Sequence, residues 1–175
     1  MSSLVTLLAK DSVDVAQLET IYEERAGGTT FVRNAIHAMR LLDPDLAWKA
    51  VWLLKRHAER DQLRKKELLE IARHADEMAH WISRLVVCQL FAIAGCPKSA
   101  RENLFQYLVE SARDRRPMIR AWSLTVLADF RAEHRYRTTV ESILCEAGKD
   151  SAASVRARLK HVLQASPKWS RKLDR

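Results

Sequence analysis

Residues 46–54 read LAWKAVWLL, and the same nine-position pattern returns as ISRLVVCQL at 82–90, IRAWSLTVL at 119–127 and VRARLKHVL at 155–163. The starting positions 46, 82, 119 and 155 lie 36, 37 and 36 residues apart. A fixed period in this range marks stacked supersecondary units, and with strand signals absent each unit must hold about two short helices. Window positions one, five, eight and nine carry Leu46, Ala50, Leu53 and Leu54, then Ile82, Val86, Gln89 and Leu90, then Ile119, Ser123, Val126 and Leu127, then Val155, Leu159, Val162 and Leu163. Spacings of three and four set them on one stripe, so this stripe is expected to face the companion helix and the next unit.

Punctuation around the windows agrees with two helices per unit. Asp43-Pro44 and Arg116-Pro117 precede two of them, and Asp76 and the polar run 149–154 precede the others. Proline in the first helical turn forfeits no hydrogen bond, and Asp or Ser just outside can cap the free amides. Companion helices are expected at 29–42, 62–75, 98–113 and 135–147, with Gly95 and Gly148 as C-terminal stops. Two more helices, near 3–9 and 13–25, precede Gly27-Gly28. The organisation predicted is an N-terminal helical cap at 1–28, a repeat array at 29–165 in units of 29–60, 61–96, 97–133 and 134–165, and a basic tail at 166–175.

Composition supports one all-α domain or short array. Gly and Pro number four each in 175 residues, about 5% together against a usual share of roughly 12%. So few turn formers exclude a many-stranded β-fold, and an apolar content of 47% excludes disorder. The most apolar stretch, 81–94, is 14 residues long and carries Arg84 and Gln89, too short for the roughly 20 residues of a membrane span. Three cysteines, Cys88, Cys96 and Cys145, form no CxxC pair, and the first ten residues lack the apolar core of a secretory signal. A cytoplasmic protein with reduced, structural thiols is expected.

Residues Pro117-x-Ile119-Arg120-Ala121 followed by Val126-Leu127, the echo Val155-Arg156-Ala157 followed by Val162-Leu163, and the Asp43-Pro44 start make the chain resemble the HEAT-type helical repeat proteins over roughly residues 29–164. The resemblance implies a right-handed α-solenoid of about four hairpins whose second helices line a concave surface, and it implies binding more often than catalysis. The second unit departs from the pattern, with no proline and with Ser83-Arg84 in place of Arg-Ala. In that geometry the concave row is Lys49, Trp52 and Arg56, then Leu85, Cys88 and Ala92, then Trp122, Thr125 and Asp129, then Arg158, His161 and Ala165. Trp and Arg dominate binding hot spots, because they desolvate a large area with few rotors to freeze. The same tryptophans would serve equally as inter-repeat packing, which is the role expected of Trp48 and Trp81. A protein partner held by Lys49, Trp52, Arg56, Trp122, Asp129, Arg158 and His161 is the leading expectation.

Charge supports an alternative from another class. Residues 1–110 hold 15 basic and 15 acidic side chains, whereas 111–175 hold 15 basic and 7 acidic, so the whole net charge of +8 lies in the C-terminal third. Arg113, Arg115, Arg116, Arg120, Arg131, Arg135, Arg137, Arg156, Arg158 and Lys160, with the tail residues Lys168, Arg171, Lys172 and Arg175, interleaved with Trp122, Tyr136 and Trp169, have the composition of a nucleic-acid surface. Solvated helix ends and a polar terminal unit would look the same.

Enzymatic readings find little in the residues. HEAT-like DNA glycosylases, which the chain resembles in fold and charge, present a carboxylate one helical turn after a tryptophan. Here Trp48, Trp52, Trp81 and Trp122 are followed four residues later by Trp52, Arg56, Leu85 and Val126, and the nearest acid on the Trp122 face is Asp129, two turns on. Glu77 and His80 share a helical face near His74, yet a metal site needs three or four ligands. No phosphate loop, paired-carboxylate site or Ser/His/Asp pattern is present. The expectation is a protein without catalysis, metal or cofactor.

Overall fold

A computed structural model describes residues 3–10, 13–41, 43–60, 63–78 and 80–165. The basic tail expected at 166–175 lies outside the described residues. Among the described residues the chain is all-helical, with ten α-helices, one 3-10 turn and no strand. It divides into two compact units, residues 1–104 and 105–175. The division falls inside the helix that opens the third predicted unit.

In the first unit α1 (Leu4–Leu8) and α2 (Val15–Arg25) are followed by α3 (Phe31–Met39), α4 (Pro44–Ala58), α5 (Lys65–Arg73), the 3-10 turn Ala75–Glu77, α6 (Trp81–Ala94) and the first part of α7 (Lys98–Ser111). Helix α4 is the organiser. Its N-terminus is built as expected, with Pro44 in the first turn and Asp43 Oδ1 accepting from the amides of Asp45 and Leu46 at 2.8 and 3.2 Å. From there it packs most extensively on α6, next on α3, and also on α1 and α2. The α6 helix begins later than the expected start at Asp76, because that residue lies in the 3-10 turn. Gly95 ends α6 at φ +74°, a backbone region that favours glycine.

The second unit contains the rest of α7, α8 (Pro117–Phe130), α9 (His134–Ala147) and α10 (Ala153–Ala165). Here α8 and α10 pack most extensively, and α9 lies against both. Phe105, Phe130 and Tyr136 form one aromatic cluster with ring centroids 4.3 to 5.9 Å apart. Gly148 caps α9 in a right-handed conformation, so its lack of a side chain is not needed for the backbone angle.

The four nonapeptides therefore lie on α4, α6, α8 and α10, and within each unit the two of them pack on each other. Their stripe supplies the core: Leu46, Ala50, Leu53, Leu54, Val86, Leu90, Ile119, Ser123, Val126, Leu127, Val155, Leu159 and Val162 are buried. Each fully buried large aliphatic side chain contributes about 1.5 to 3 kcal/mol, which makes this seam the main stabilising contact of either unit. Ile82, Gln89 and Leu163 are only half-buried. Ser123, polar in an apolar row, is tolerated because its hydroxyl donates to the Arg120 carbonyl at 2.7 Å. Trp81, expected in packing, is 39% exposed.

Candidate functional site

The residues of the expected concave row divide sharply between the two units. On α4 the Lys49 side chain is buried, its ammonium donating to the carbonyls of Leu8 and Lys10 and to the Asp45 carboxylate. It closes the C-terminal end of α1 and is withdrawn from any binding surface. Arg56 is held on both sides, by Glu19 through two bonds of 2.9 and 2.5 Å and by Glu59 at 2.9 Å. Those carboxylates hold its guanidinium above its ordinary pKa, with Glu59 the larger cause. Trp52 is half-buried between them on the sequence. On α6 Cys88 is buried, while Leu85 and Ala92 are half-buried.

In the second unit the row is more exposed. Trp122 of α8 is half-buried, and the Arg158 guanidinium of α10 lies over its ring, 3.9 Å from the centroid. This cation–π stack orients both groups at the α8/α10 seam. Asp129 and His161 are exposed on the same two helices, Ala165 is exposed, and Thr125 is half-buried with its hydroxyl buried and lacking a partner among the described residues. An indole stacked on a fixed guanidinium, on helices that also expose a carboxylate and an imidazole, can offer apolar area and a positive charge to an incoming surface.

The basic residues of the alternative reading do not form one field. Arg120 is clasped by Asp150 through two 2.7 Å bonds and also donates to the carbonyls of Asp114 and Arg115. The pair shifts both groups apart: Asp150 holds the Arg120 guanidinium above its ordinary range, and Arg120 holds the Asp150 carboxyl below its own. Arg116 lies 3.7 Å from Asp114, and Arg131 lies 3.6 Å from Glu141. Arg135 bonds Glu133 at 3.2 Å and covers the Tyr136 ring, Arg137 donates to the Arg131 carbonyl, and Arg156 turns back onto the carbonyls of Asp150 and Ser151. Arg113, Arg115 and Lys160 are exposed.

Other candidates resolve locally. His74 Nδ1 and Glu77 Oε1 are 2.9 Å apart, and among the described residues no group of three or more His, Cys, Asp or Glu side chains is placed to hold a metal. Cys88 and Cys96 are buried; Cys145, expected as a structural thiol, is exposed. Among the described residues no helix is long and apolar enough to cross a membrane.

Sequence reasoning passes over a second place altogether. A cavity of about 570 Å³ in the first unit is lined by residues from the start of α3, by His57 of α4 and by the first turns of α5. His57 is buried with Nδ1 3.2 Å from the Tyr22 hydroxyl, and the two rings pack against Phe31. Burial holds His57 below its ordinary pKa, so its neutral form is favoured. Burial works to raise the Glu67 carboxyl, yet the side-chain and backbone bonds from Arg64 outweigh it and hold the acid low. These residues are scattered from 22 to 67 and share no spacing, so only their convergence in space reveals them. Compared with protein-family models, with curated proteins and with solved structures, the chain has no match, and its reading rests on its own residues.

Proposed function

We propose that the chain is a non-catalytic interaction module, a HEAT-like array of helical hairpins that holds a protein partner on the α8/α10 surface of its second unit. The observation that carries this reading is the Arg158–Trp122 stack, a half-buried indole fixed by a cation with exposed Asp129 and His161 on the same helices. Large, oriented, partly desolvated groups of this type account for most of the energy of protein interfaces. A surface built on packed helices requires little ordering on association, which favours affinity. Lys49 and Arg56 drop out of the surface, since both are engaged inside the first unit. Nucleic-acid binding draws less support: Arg120 is clasped by Asp150, Arg156 is engaged by loop carbonyls, and one face of Trp122 is already occupied by Arg158, which a base stacking on that face would have to displace.

The test is selection of peptides from a displayed library on the intact protein, followed by fluorescence-polarisation affinities for wild type and Trp122→Ala. The variant is expected to keep its helical circular dichroism and to weaken the selected peptides by more than about 1 kcal/mol. Equal affinity for the variant overturns the assignment. So does tighter binding of duplex DNA with a steep salt slope that Trp122→Ala leaves untouched.

A further inference from the structure

The cavity of the first unit lies outside the α8/α10 surface and has the volume of a small-molecule site, about 570 Å³ within a usual range of roughly 300 to 1,000 Å³. Three independent features set its chemistry. First, the N-terminal turns of α3 and α5 both open on it, and α3, nine residues long, begins at Phe31 with no side-chain cap from Thr30, the Phe31 amide alone being taken up by the Gly28 carbonyl at 3.0 Å. Helix N-termini carry partial positive charge and point donors at whatever lies before them.

Second, His57 lines the cavity while only 6% exposed. The Tyr22 hydroxyl lies 3.2 Å from Nδ1, which leaves Nε2 as the ring nitrogen a ligand could meet. An imidazole in a cavity wall can donate to, or accept from, a polar atom brought in from outside the protein.

Third, the charges at the wall are unequal. Arg64 is occupied by Glu67, and Glu70 lies 3.9 Å from Arg40. Arg33 and Lys66 are exposed, line the cavity and make no ion pair among the described residues. Val32 and Ile36 add apolar lining.

We infer that this cavity binds a small organic anion, its phosphate or carboxylate head held between Arg33, Lys66 and the first turn of α3, its body along Val32 and Ile36, and a polar atom on His57. The head must be anionic because the unpaired groups are cationic. A body is needed because a bare ion would leave most of the volume, and His57, unused.

The experiment uses the full chain with ribose 5-phosphate and citrate as probes, and ribose and inorganic phosphate as controls, followed by the His57 imidazole NMR signals and by Tm. One of the two anionic probes is expected to shift the His57 signals saturably and to raise Tm; which one does so identifies the head. The double variant Arg33→Ala, Lys66→Ala, altered only at exposed side chains, is expected to keep its helicity and lose about ten-fold or more in affinity. His57→Gln is expected to weaken binding as well, and if that variant fails to fold, the double variant decides alone. No shift at about 10 mM of either probe, equal binding by the double variant, or equal binding of ribose or of inorganic phosphate overturns the proposal.

Discussion

The ammonium of Lys49 sits at the end of α1, donating to the carbonyls of Leu8 at 3.0 Å and Lys10 at 3.3 Å, with the Asp45 carboxylate as its counter-charge. A helix of five residues leaves most of its carbonyls without intrahelical partners, and buried carbonyls without donors are costly. One lysine from α4 answers the last of them, that of Leu8, together with the Lys10 carbonyl just beyond the helix, and compensates its own desolvation with Asp45, whose carboxyl it holds below the usual range. Lys49→Met keeps the apolar stem and removes only the charge and its bonds. The variant is expected to lose about 2 kcal/mol of stability, read as a lower urea midpoint at unchanged slope. Loss of protection from hydrogen exchange should be largest at α1. An unchanged midpoint would mean that water replaces the ammonium without penalty.

Among the elements, α8 depends most visibly on a contact distant in sequence. Its first turn is tied to the α9–α10 connection by the Arg120–Asp150 clasp, and Asp150 also accepts from the Ala152 amide at 2.8 Å. The acid is therefore more easily ionised folded than unfolded, so it contributes stability above the ordinary carboxylate range near pH 3.8 that is lost as pH falls through its lowered pKa. Asp150→Asn is expected to lower stability by about 1 to 2 kcal/mol at pH 7, and to converge with wild type in acid, measured by thermal unfolding from pH 7 to pH 2. A difference that persists in acid would assign the effect to packing. Helix starts such as Pro44 and Pro117, and the buried stripe from Leu46 to Val162, were legible in the sequence because caps and periodicity act over a few residues. Asp150 was not, since nothing local distinguishes it from any loop acid. The same holds for Lys49 and for His57: helical spacing sets the side of a helix, whereas the chain that covers that side comes from elsewhere, α1 in one case and α2, α3 and α5 in the other. Of the candidate surface, Trp122 and Arg158 could be placed on one row from spacing, and their 3.9 Å stack could not.

At the scale of the whole molecule the three thiols sample both compact units and make their integrity measurable. Cys88 is fully buried on α6 and Cys96 is buried just beyond it, both in residues 1–104, whereas Cys145 is exposed on α9 in residues 105–175. A thiol reacts only as its thiolate and only when reached by reagent, so burial slows a structural cysteine to the rate at which its surroundings open. The native protein is expected to titrate one thiol quickly with Ellman's reagent, a phase that Cys145→Ser removes. The remaining two should react only as the first unit opens, at a rate that rises with urea. Because α6 packs on α4, the helix that Lys49 joins to α1, Lys49→Met should accelerate that slow phase and leave the fast Cys145 phase unchanged. Acceleration of both phases alike would mean that the two units open as one. Three fast thiols in the native protein would mean that the α4/α6 seam, from which the first unit draws its core, is not closed in solution.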